Sequence, residues 1–92
     1  MIWREVALNG LENARRCIAQ HNPSAAERIF AAILSSLRRL SGMPKIGRPG
    51  RVPGTRELAI VGTPYVVAYA VVANRINILA VQHGTQEWPE RF

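Results

Sequence analysis

The chain has 92 residues, 48% of them hydrophobic and 20% charged, with a net charge of +6 and one cysteine. This length and apolar content fit a single domain over residues 1–92 and exclude a disordered chain. Lone Cys17 excludes an internal disulfide and a cysteine-built metal site, and the longest apolar run, Tyr65 to Ala73, is too short to cross a bilayer.

Ile2 to Val6 alternates in the manner of a short strand. Asn9-Gly10 breaks that pattern, and a helix follows from about Asn9 to Gln20 with Leu11, Ala14 and Cys17 or Ile18 on its apolar side. A second helix starts at His21-Asn22-Pro23-Ser24. Two frames fit: Asn22 as the cap with Pro23 at the first helical position, or a capping box from Ser24 to Glu27. Ala26, Ile29, Phe30, Ile33, Leu34, Leu37 and Leu40 give that helix its apolar stripe, and Ser41-Gly42 with Pro44 ends it. The two helices form a hairpin.

Met43 to Gly54 holds three prolines and three glycines and reads as a loop. Three strand-like runs follow, at Thr55–Val61, Tyr65–Val72 and Arg75–His83, with turns at Gly62-Thr63-Pro64 and Ala73-Asn74. Short hairpin connections make them antiparallel neighbours. The tail from Gly84 to Phe92 carries Trp88-Pro89, and its aromatics are expected to pin it to the body. The fold class is α+β, in the order β-α-α-β-β-β, with the helical hairpin packed on one face of an antiparallel sheet and the other face partly open.

Charge is unevenly placed. Arg38, Arg39, Lys45, Arg48, Arg51 and Arg56 are half of the twelve basic residues and have no acid among them, whereas elsewhere six basic residues face six acidic ones. Such a segment calls for a negative partner, either a nucleic acid or an acidic protein. The first five residues lack the pattern of a signal peptide, so a cytoplasmic location without membrane association is expected.

Several strings, in this order and spacing, resemble the RelE/ParE superfamily of bacterial toxins. They are Asn22-Pro23-Ser24-Ala25-Ala26, the basic loop from Pro44 to Arg56, Gly54-Thr55-Arg56-Glu57-Leu58, Tyr65-Val66-Val67-Ala68-Tyr69, and Ile76 to His83 before Trp88-Pro89. Within the superfamily the chain is most similar to the ParE, or plasmid stabilisation, branch. The resemblance implies the toxin of a type II toxin–antitoxin pair, with growth inhibition relieved by an acidic, partly disordered antitoxin and with no cofactor or metal. ParE-type members act on DNA gyrase and RelE-type members cut messenger RNA on the ribosome, so gyrase and ribosome-bound mRNA are the two expected targets.

A metal-independent nuclease needs a base, an acid and cations around one phosphate. For that chemistry the candidates are Arg56, Arg51, His83 and Tyr65, with Glu57 as a possible assistant. An imidazole suits proton transfer near neutral pH, and nuclease members place a catalytic His or Tyr near the end of the last strand. Arg48, Arg51, Arg56 and Lys45 are the candidates for holding a phosphate or an acidic partner. Each has a plainer role open to it. Arg56 can bond loop carbonyls, Glu57 can be a solvated neighbour pointing away from Arg56, His83 can be a rim residue, and His21 can be structural. Trp3 and Trp88 are expected in packing. Beyond Arg75 the chain offers only His83 and Arg91 to the catalytic set of a nuclease, which favours the protein-directed reading. A third possibility is a small nucleic-acid-binding module with Tyr65 and Tyr69 as stacking platforms, although core positions suit both better.

Overall fold

The computed structural model describes residues 1–84, except for the side chain of His21; the expected docking of the Trp88-Pro89 tail, and Arg91, lie outside the described residues. The elements are β1 (Ile2–Trp3), α1 (Glu5–His21), α2 (Pro23–Gly42), β2 (Arg48–Pro49), β3 (Arg56–Ala59), β4 (Tyr65–Val72) and β5 (Arg75–His83). They form one sheet in the order β1-β5-β4-β3-β2. β1 runs parallel to β5, and the other pairings are antiparallel.

The N-terminal strand is shorter than its alternation suggests, and α1 begins at Glu5 rather than Asn9. Gly10 therefore lies inside a helix instead of in a turn. Glycine costs a helix about 1 kcal/mol relative to alanine, but here a Cβ would come within 2.5 Å of the Val81 carbonyl oxygen. Ala7, Gly10 and Ala14 stand at three- and four-residue spacing, and both alanines are buried. This small-residue seam lets α1 approach β5 closely.

Of the two frames for α2, the structure takes the first. The Asn22 Oδ1 accepts the Ala25 N–H at 3.1 Å, and Pro23 stands in the first turn. Ile33, Leu37 and Leu40 face the sheet and are buried, whereas Leu34, expected in the same stripe, is exposed on the outer side of the hairpin. These α2 residues meet Leu58, Ile60, Val67, Tyr69, Ile78 and Val81 in the core.

β4 and β5 match the expected runs. They are joined by Ala73 and Asn74 at φ 51° and 63°, the left-handed pair that a tight two-residue hairpin needs. Leu79 is an extra residue on β5, so pairing shifts from Ala68↔Ala80 to Tyr69↔Ile78. β3 is shorter than Thr55–Val61. The loop before it conceals β2, where Pro49 is tolerated on the sheet edge because an outward position requires no N–H. The second face of the sheet is less open than expected. Val52 is buried there, above a groove of about 360 Å³ that it shares with Ala70 and Leu79. No helix of the described residues is long and apolar enough to cross a membrane.

Candidate functional site

The basic loop is fastened from three sides. From the core, the fully buried Tyr69 hydroxyl donates to the Pro44 carbonyl at 2.8 Å and accepts the Gly47 N–H at 2.8 Å. Residue 47 must be glycine, since a Cβ would stand 2.6 Å from that hydroxyl and 2.9 Å from the Glu57 carbonyl oxygen. On the same face Arg56 donates through Nη1 to the carbonyls of Gly47 at 2.8 Å and Lys45 at 3.3 Å. Its plainer role, bonding loop carbonyls, is thus the one the structure displays.

The third fastening lies on the opposite face. Glu57 alternates away from Arg56, as expected, but it is not solvated; its side chain is 1% exposed. The carboxylate accepts the Arg51 backbone N–H at 2.7 Å and the Arg48 Nη2 at 3.1 Å, with the Arg51 Nε at 3.5 Å. A buried carboxylate needs such partners to offset its lost hydration. The arginines lie outside it with side chains 64% and 43% exposed, so two guanidinium groups share one carboxylate and leave net positive charge facing water. Arg51 also donates to the Gly84 carbonyl at 3.4 Å, tying the loop to the end of β5. Lys45 is exposed.

His83 and Tyr65 are cross-strand partners. Their rings meet edge to face at 5.7 Å and 73°. They border a groove of about 490 Å³ between α1 and the end of β5, which Asn9, Asn13 and Cys17 also line. Burial, and secondarily the negative charge of Cys17 once ionised, raises the Tyr65 phenol above its ordinary value of 10.0. At neutral pH Tyr65 is therefore a protonated donor and not a base.

The sequence candidates thus divide into separate places. Arg48 and Arg51 meet on Glu57, with Arg51 also reaching the Gly84 carbonyl next to His83, Arg56 lies on the other face, and Tyr65 with His83 borders the α1 groove. Arg56 pairs with Tyr69 and His83 with Tyr65. Those partners are four residues apart on β4, roughly 13 Å at strand rise, and the two residues sit on opposite flanks of that strand. Tyr69 is core, so it offers no stacking platform. Among the described residues no group of three His, Cys, Asp or Glu gathers that could hold a metal ion. Tyr69 takes the core position favoured from the sequence, but its hydroxyl's hold on the loop and the burial of Glu57 were not read there. One signal pointed to Glu57: it is the only acid between Glu27 and Glu87.

Known proteins agree with this architecture. A chain of the chromosomal ParDE toxin–antitoxin system from P. aeruginosa superposes with a TM-score of 0.79 at 24% identity, over 88% of this chain and 90% of that one, and shares its fold. The protein Y4kP of Sinorhizobium fredii, named as a toxin, is 36% identical over 88 residues, covering 96% of this chain and 91% of its own. The family model of the ParE toxin of the type II toxin–antitoxin system parDE matches residues 1–88. The chain belongs to the ParE family, the toxin component of type II toxin–antitoxin systems, and has an antitoxin as its partner.

Proposed function

We propose that this toxin arrests growth in the cytoplasm by binding DNA gyrase, as a protein-directed inhibitor and not as a nuclease, and that an acidic antitoxin neutralises it. One observation carries this reading: the arginines named for phosphate chemistry are engaged by the protein's own groups. Arg48 and Arg51 engage Glu57, and Arg56 engages two carbonyls well removed from His83. One phosphate would have to meet Arg56 and His83 together, and they stand on opposite flanks of β4 with partners four residues apart along it. An inhibitor needs instead a fixed, charged surface, which the fastened loop supplies.

The raised Tyr65 phenol beside His83 favours a second reading, RelE-like cleavage of ribosome-bound mRNA, because it places a donor next to an imidazole. Purified toxin separates the two. The gyrase reading expects dose-dependent loss of DNA supercoiling, reversed by the antitoxin, with intact mRNA on translating ribosomes. Cuts in that mRNA with supercoiling unaffected establish the second reading instead.

A further inference from the structure

Beyond the end of α2, the segment at Met43–Ile46 and the β4–β5 hairpin tip enclose an open groove of about 580 Å³. Its walls are Met43, Pro44, Ile46 and Val71, with Lys45 and Asn74 at the rim. Met43 is 52% and Val71 36% exposed. An exposed aliphatic cluster at one end of a small, strongly charged protein marks a contact surface.

The groove is stiff before anything enters it. Tyr69 and Arg56 hold the Met43–Ile46 segment through its carbonyls and the Gly47 N–H. The hairpin tip is a two-residue turn with both residues in the left-handed region, which places Val71 with little freedom. Little ordering remains to oppose binding.

Charge selects the occupant. Lys45 is on the rim; Arg38 and Arg39 lie in the preceding turns of α2, and the chain from Arg28 to Arg56 contains no acid. The α2 carbonyls, the negative end of the helix, are partly satisfied by the Met43 N–H bonding to Arg39 and Leu40. A second copy of a chain at +6 would bring like charge to this rim. Nucleic acid would meet aliphatic walls with no aromatic face for a base. An acidic peptide segment with one or two aliphatic side chains matches both the rim and the walls.

We infer that this groove is a docking site for the antitoxin, which inserts an aliphatic anchor against Met43 and Val71 while its carboxylates face Lys45. The inference rests on the acidic antitoxin proposed above and adds the place and manner of its contact.

The test is affinity of the purified antitoxin encoded beside the toxin gene, measured by competition at low and high salt. The toxin variants are Met43→Glu, Lys45→Glu and, as a control at the far end of β4, Val61→Asp, which alters an apolar residue 76% exposed. Urea midpoints confirm that each variant is folded. The groove account expects affinity at least tenfold weaker for Met43→Glu and Lys45→Glu, a shallower salt dependence for the latter, and Val61→Asp within twofold of wild type. Tight wild-type binding that neither groove variant weakens beyond twofold overturns the groove and leaves the antitoxin pairing standing. Unchanged antitoxin affinity with lost gyrase inhibition also overturns it, since the groove would then serve the target.

Discussion

Tyr69→Phe removes one oxygen from the centre of the molecule and thereby tests what organises the basic loop. The ring remains, so packing is conserved, and only the two hydrogen bonds of the hydroxyl disappear. Pro44 is half-buried, so its carbonyl regains water and the loss there is about 1 kcal/mol. Gly47 is buried, and its N–H is left without a partner at about 1–3 kcal/mol. The sum is about 2–4 kcal/mol, or roughly 10–30 °C in Tm for a domain of this size. Urea denaturation should show a lower midpoint at unchanged slope, and the Gly47 amide should exchange with solvent faster. A loss below about 0.5 kcal/mol with Gly47 still protected would refute the anchoring role.

Glu57→Ala should destabilise by about 1–3 kcal/mol, because the Arg51 N–H loses a charged acceptor while the exposed guanidinium groups rehydrate. Glu57→Gln retains an acceptor and should cost less than half as much in the same denaturation assay; equal losses would show that charge, not the N–H acceptor, sets the cost. Gly10→Ala should lower stability despite a helix-propensity gain of about 1 kcal/mol, since its Cβ would strike the Val81 carbonyl. Gly42→Ala, with open space around it, should raise stability by up to about 1 kcal/mol.

What the sequence disclosed and concealed follows from the range of the forces involved. The hairpin of α1 and α2 was legible because Asn22-Pro23 is a local signal and the α2 stripe repeats along one segment. β4 and β5 were legible from β-branched runs around a short turn. Misplacing the start of α1 has a tertiary cause: Gly10 reads locally as a breaker, and only the approach of β5 explains it. β2 was hidden because two residues of a Pro- and Gly-rich loop become a strand only when β3 lies beside them. Sequence reasoning put Glu57 correctly on the face away from Arg56, but its burial depends on a loop folding back to cover it. The candidate cations were all visible in composition. Their division between two faces depends on how the loop folds back to bring Arg48 and Arg51 onto Glu57, which no local pattern carries.

Binding of gyrase without a catalytic imidazole is the mode of action proposed for the toxin. Its most direct test is a titration of gyrase supercoiling with wild-type toxin and with His83→Ala. Both proteins should inhibit with half-inhibition concentrations within twofold of each other, and antitoxin should restore supercoiling in both. A wild-type protein that leaves gyrase untouched yet cuts mRNA on translating ribosomes, with cutting abolished in His83→Ala, would contradict it.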